Sequence, residues 1–153
     1  DLNIRTLTEL SHIAAGLMRS GGRLINVASL AAFQPLGNFA VYAATKAYVH
    51  HFSLALAAEL KPRGITVTSL CPGPVATEFS KVASAGAREY VHGGKSAEHV
   101  VAICLRDASR GKWTSLPYFS WKATTMLVRL LPKALIAKAS FAFMKRPSAS
   151  AKD

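Results

Sequence analysis

The spacing of apolar residues changes along the chain, and each change marks an element. Ile4, Leu7, Leu10, Ile13, Ala14 and Leu17 recur at helical spacing and predict a helix over residues 3–18. Ser20-Gly21-Gly22 ends it, because glycine takes the left-handed cap conformation freely. Residues 24–28 are short and mostly apolar, the mark of a strand buried on both faces. Gln34-Pro35-Leu36-Gly37-Asn38 is loop chemistry. An alanine-rich helix follows over 42–60 and stops at Pro62-Arg63-Gly64. Residues 65–71 are β-branched and apolar, a second buried strand broken at Pro72-Gly73-Pro74. Residues 77–95 are polar and weakly patterned, as expected of a mobile segment over a site. Ser96 caps a helix over 96–106, and 113–117 is a third strand. Helix, strand, helix, strand, helix, strand is the order of an α/β domain with a parallel sheet.

The last third differs. Residues 119–144 are apolar and aromatic, but Lys122, Arg129, Lys133 and Lys138 interrupt them and Pro132 divides them. A spanning segment needs roughly 20 mostly apolar residues without such charges. Two amphipathic helices fit instead, covering a substrate pocket, a partner subunit or an anionic membrane surface. A basic tail, 145–153, follows. The formal net charge of +11 is concentrated here: residues 106–153 hold ten Lys/Arg against two Asp/Glu. No nucleic-acid-binding module accompanies that charge, so nucleic acid is not expected as a partner.

Composition narrows the class. Half of the 153 residues are apolar and 18% are charged, a globular balance with enough chain for one core. Cys71 and Cys104 have no metal or redox spacing and read as buried free thiols of an intracellular protein. The five histidines show no ligand spacing and are expected at the surface or an interface, with His50 and His51 on different helix faces. The first residues lack the apolar core of a signal peptide, and the expected location is the cytoplasm, with a peripheral membrane contact as the alternative. The chain starts at Asp1 with a helix that no strand precedes, which reads as a fragment or a processed chain.

One constellation carries chemistry. Ser29 lies just past the carboxyl end of the first strand, where open α/β sheets place their ligands. Tyr42 and Lys46 are four apart, one turn from each other on one helix face. A hydroxyl, a phenol and an ammonium converging on a small volume can move a proton to or from a carbonyl oxygen. A free phenol, ionising near pH 10, is a slow donor and a poor base at neutrality, and a fixed cation beside it favours the phenolate.

These residues resemble the carboxyl-terminal half of a short-chain dehydrogenase/reductase. Tyr42-Ala43-Ala44-Thr45-Lys46 matches that family's YxxxK motif, and Ser29 stands thirteen residues before the tyrosine at a strand end. Asn3 lies in the preceding helix, and Pro72-Gly73 with Thr77 follows the next strand. The likeness covers about residues 1–118, the catalytic half of a Rossmann-like domain; beyond that it is looser and resembles bacterial 3-oxoacyl reductase-like oxidoreductases. It implies a doubly wound parallel sheet, here incomplete because the amino-terminal βα units are missing. It also implies an oxidoreductase moving hydride between NAD or NADP and a carbonyl or secondary alcohol. Tyr42 would then be the general acid or base, Lys46 its cationic partner and the holder of the nicotinamide ribose, and Ser29 the stabiliser of the substrate oxygen. Asn3 would hold a water that links the lysine to solvent. The backbone around Pro72, Gly73 and Pro74, with Val75 and Thr77, would contact the nicotinamide amide. Asn3 also fits a plain helix start, Thr77 a helix cap and Ser29 a loop cap.

The Gly-rich turn that grips the pyrophosphate at a helix N-terminus is not among the 153 residues, nor is the residue that chooses NAD or NADP. The alternative reading is therefore a non-enzymatic truncated module that associates through helices 2–18 and 42–60, the pair that forms dimers in the family. The segment 79–90 and the helices after Phe119 point to an apolar or acyl substrate.

Overall fold

A computed structural model of the chain describes residues 2–79 and 93–144. Most of the expected mobile segment and the basic tail lie outside the described residues. A wide helical turn, Leu2–Thr6, runs into α1 (Leu7–Leu17). β1 (Arg23–Val27) leads through a 3₁₀ turn, Leu30–Phe33, to α2 (Ala40–Leu60) and β2 (Thr66–Leu70). The short strands β3 (Val75–Ala76) and β4 (Lys95–Ser96) precede α3 (Ala97–Ser109) and β5 (Thr114–Ser115). Two helices, α4 (Phe119–Leu130) and α5 (Lys133–Phe143), close the described chain.

The main sheet is parallel throughout, in the order β1-β2-β5, with Val27 opposite Leu70 and Leu70 opposite Ser115. Alternation along β2 assigns the faces. Ile65 and Val67 pack with Leu24 against Ala15 of α1 and Ala57 and Leu60 of α2. Leu70, from the other face, packs with Ile25 against Val100 and Cys104 of α3 and Trp121 of α4. Helices therefore cover both faces of β2, whose residues 67–70 are all buried. This is the doubly wound parallel arrangement of a Rossmann-like fold, in part.

β1 departs from expectation. Residues 24–28 were expected to be buried on both faces, yet Val27 is 51% exposed. The reason is topological: among the described residues β1 pairs only with β2, so it is the edge strand. Its one buried residue is polar. Asn26 donates to Ser53 Oγ at 3.0 Å and accepts from Ser11 Oγ at 3.5 Å, so its amide bridges α1 and α2. Ser53 in turn donates to Val49 O. A buried amide satisfied this way fixes the helices in register. At the other side of the sheet, the buried Asp107 accepts from Ser115 at 2.8 Å and Lys112 at 2.6 Å, securing β5.

Other boundaries shift modestly. The helix expected from Tyr42 starts at Ala40, and the one expected over 96–106 runs to Ser109, capped by Ser96 as anticipated. The pairing of β3 with β4 was not expected; it brackets the 77–94 stretch. Leu10, Ile13 and Leu17 on α1 are more than half exposed, so the apolar side expected to associate faces solvent here. No described helix is long and apolar enough to cross a membrane.

The helices α4 and α5 fold back over the loop that joins Ser29 to Tyr42. Gly37 N–H donates to Ser140 Oγ at 2.8 Å, and the Asn38 side chain donates to Met144 O at 2.7 Å and Phe141 O at 3.3 Å. Asn38 takes a left-handed conformation (φ 64°), which asparagine tolerates better than most residues. A Cβ on Gly37 would lie 2.5–2.7 Å from Phe141 Cβ, Cα and N, so the contact requires glycine. Gly37→Ala should therefore push α5 off this loop and cost about 2 kcal/mol. Urea denaturation of the variant reads this directly, and an unchanged midpoint would contradict the packing.

Candidate active site

The site forms where the carboxyl ends of β1 and β2 meet. Ala28 N–H donates to Leu70 O and Leu30 N–H to Pro72 O, so Ser29 is held between two backbone bonds beside the Pro72-Gly73 corner. Ser29 Oγ accepts from Ala31 N–H at 3.1 Å and caps the 3₁₀ turn. The local capping role is thus realised, and it leaves the hydroxyl proton of Ser29 available to another acceptor. Among the described residues nothing takes it.

Starting α2 at Ala40 places Tyr42 in its first turn and Lys46 one turn on. The Tyr42 ring is half-buried, packed with Ala31, Leu36 and Ala43, and tilts toward Phe79 at 6.3 Å between centroids. Its hydroxyl makes no hydrogen bond to the described residues. Lys46 Nζ donates to Val27 O at 3.0 Å and to Asn3 Oδ1 at 3.4 Å, and lies 6.0 Å from the Tyr42 ring centre. Burial pushes the Lys46 ammonium below its usual pKa, with the nearby Cys71 opposing that shift.

Asn3 is thus brought directly onto Lys46. Its amide also donates to Thr45 Oγ1 at 3.3 Å, so the opening turn is tied to α2 from both sides. Four of the expected residues fall into two clusters, Asn3–Lys46–Tyr42 on the helix and Ser29 at the strand end.

The expected cofactor-contacting residues are placed less uniformly. Pro72 and Gly73 stand beside Ser29, but Trp121 of α4 closes over Gly73. A Cβ there would be 2.6 Å from Trp121 Nε1 and Cε2 and 3.0 Å from Leu30 Cδ1. Val75 packs with Leu70, Val100 and Trp121, and Thr77 is exposed, its hydroxyl accepting from Phe79 N–H at 3.4 Å. Trp121 was not singled out from the sequence. Its position depends on a chain reversal that no local pattern encodes.

His50 corrects an expectation. It is 4% exposed rather than at the surface or an interface, because α2 one turn beyond Lys46 packs its inward side on Ser69 and Cys71. Its Nδ1 meets Ser69 Oγ at 3.0 Å and Cys71 Sγ at 3.5 Å. Burial, His51 and Arg129 lower its pKa to about 4. An unfolded histidine titrates near 6.5, so between these values the unfolded chain binds more protons and stability rises with pH. Denaturation between pH 4 and 6.5 should show this slope, up to about 3 kcal/mol, with His50→Gln flattening it. An unchanged slope in that variant would contradict it.

Cys71 and Cys104 are buried and free, as expected. Burial drives the Cys71 pKa up to about 11, so this thiol beside the site is unreactive at neutral pH. No group of three or more metal-ligating side chains forms among the described residues.

A parallel sheet covered by helices on both faces, with a serine, a tyrosine and a lysine near its carboxyl edge, is the arrangement of a Rossmann-like α/β protein. Comparison with known proteins gives the family. The short chain dehydrogenase model matches residues 1–88, and the chain belongs to that family. It is 38% identical over 90 residues to a serine 3-dehydrogenase of Agrobacterium fabrum, covering 58% of this chain and 36% of that protein. It is also 38% identical over 96 residues to an NADP-dependent 3-hydroxy acid dehydrogenase of Salmonella typhi, covering 62% of this chain and 38% of that one. Among solved structures, a short chain dehydrogenase from Burkholderia cenocepacia in complex with NADP superposes with a TM-score of 0.61 at 28% identity, over 74% of this chain and 51% of that one. The chain thus spans well under half the length of these two curated relatives.

Proposed function

We propose that these residues carry the carbonyl-side chemistry of a nicotinamide-dependent oxidoreductase acting on a ketone or secondary alcohol. One observation carries the reading: the Tyr42 hydroxyl, which has no partner among the described residues, shares a helix face with an ammonium that Val27 O and Asn3 hold in place at the sheet's carboxyl edge. The relatives support it, since dehydrogenases, two of them named for or bound to NADP, share this part of the chain.

Bound nicotinamide would supply or accept the hydride at the substrate carbon, and the protein handles the oxygen. In reduction, the O–H bond of Tyr42 breaks and its proton goes to the substrate oxygen as negative charge builds there. The phenolate left behind is stabilised by Lys46. Ser29, whose oxygen already accepts from Ala31 N–H, turns its own proton toward the same substrate oxygen. Oxidation reverses each transfer. Lys46 and Asn3 fit the nicotinamide ribose end of a dinucleotide, being polar, half-buried and at the strand ends. None of the 153 residues forms a Gly-rich strand-to-helix turn of the kind that grips a pyrophosphate. Exposed Phe79 beside Tyr42 favours substrates with an apolar flank.

The test is nicotinamide-linked turnover of ketones, 3-oxoacyl compounds among them, by the complete gene product. Ser29→Ala should lower kcat about 10²-fold while nucleotide affinity holds. Absence of turnover with both NADH and NADPH, or full activity in Ser29→Ala, would reject the assignment.

A further inference from the structure

On the side of α2 turned away from α1 lies an open cavity of about 720 Å³, within the size range of small-molecule sites. Neither Ser29, Tyr42 nor Lys46 lines it. One wall is α2, where Ala40, Ala44 and Ala47 leave a trough; the others are the 33–37 loop and the α4–α5 hairpin. Its lining is mostly apolar, and three of its polar side chains, Arg129, Lys133 and His50, meet at Phe33. Arg129 lies over the Phe33 ring at 5.5 Å, and Lys133 Nζ donates to Phe33 O at 3.2 Å and Val128 O at 3.4 Å. The His50 ring also meets Phe33, 4.7 Å between centroids and tilted by 55°.

Two features make this more than loose packing. No acidic side chain lines the cavity, and among the described residues neither Arg129 nor Lys133 enters an ion pair. Second, His50 is a buried side chain with half its hydrogen-bonding capacity unused. Nδ1 is engaged by Ser69, whereas Nε2 has no partner among the described residues. A buried polar group without a partner is costly, and an occupant that supplies an acceptor removes the cost.

We propose that this cavity is a second ligand site, separate from the Tyr42 centre, that binds an amphipathic organic anion of the aliphatic carboxylate class. The carboxylate sits at the Phe33 end against Arg129 and Lys133, and the chain lies in the alanine trough. The anion holds the imidazole proton on Nε2 and leaves Nδ1 to accept from Ser69. A cationic amphiphile would face Arg129 and Lys133 unfavourably, and a neutral one would gain no charge pairing from them.

Calorimetric titration with dodecanoate, below its micelle threshold, tests this, with dodecanol and dodecyltrimethylammonium as neutral and cationic controls. Dodecanoate should bind one per chain, at least about tenfold tighter than either control. Arg129→Gln with Lys133→Gln should weaken it about tenfold, and Ala44→Phe, which fills the trough from an exposed position, should abolish it. Tyr42→Phe should leave it unchanged, so the result is independent of the proposed catalysis. The Arg129/Lys133 pair is exposed, so the outcome does not hinge on whether Ala44→Phe folds. No saturable binding, equal affinity for the three amphiphiles, or loss of binding in Tyr42→Phe would overturn the proposal.

Discussion

Tyr42→Phe should lower kcat by about 10² to 10⁴-fold, the range for removing a positioned general acid, while nucleotide affinity stays within about twofold. The structure makes this substitution unusually clean. The phenol ring packs against Ala31, Leu36 and Ala43 and approaches Phe79, and phenylalanine keeps all of those contacts. The hydroxyl has no partner among the described residues, so its removal orphans no buried group there. Folding stability should hardly change, and denaturation beside the kinetics separates lost chemistry from lost structure. If turnover survived in a folded Tyr42→Phe protein, the proton would have to come from elsewhere.

Lys46→Met should lower kcat about 10²-fold and also raise the KM for nucleotide. Methionine fills a similar volume without charge, so the phenolate loses its cationic partner. Val27 O and Asn3 Oδ1 lose their donor as well. Lys46→Arg should recover only part of the rate, because a planar guanidinium cannot take up the ammonium's geometry on those two acceptors. Replacing Asn3 by Ala probes the same contact from its other end. An unchanged kcat in Lys46→Met would remove the ammonium from the mechanism.

These residues were legible in the sequence because their signals are local. Tyr42 and Lys46 need only helical spacing, Ser29 only a strand that ends before it, and the parallel sheet only alternation of element types. Features that depend on distant parts of the chain were not legible. Trp121 reaches Gly73, and Ser140 reaches Gly37 across 103 positions, through a reversal of α4 and α5 that amphipathic periodicity does not encode. The burial of His50 follows from packing α2 against Ser69 and Cys71, not from its neighbours in sequence. The exposure of Val27 follows from the edge position of β1. Local composition gave an apolar strand in each case, and pairing decided which strand was covered. The β3–β4 pair is too short, at two residues each, to leave any periodic trace.

The most direct measurement follows a label from cofactor to product. The complete gene product is supplied with a reduced nicotinamide dinucleotide deuterated at the transferring carbon, together with a ketone, and the alcohol is analysed by mass spectrometry. Deuterium is expected on the carbinol carbon with the wild-type protein and almost none with Tyr42→Phe. Label transfer that is absent from the wild type, or undiminished in Tyr42→Phe, would contradict it.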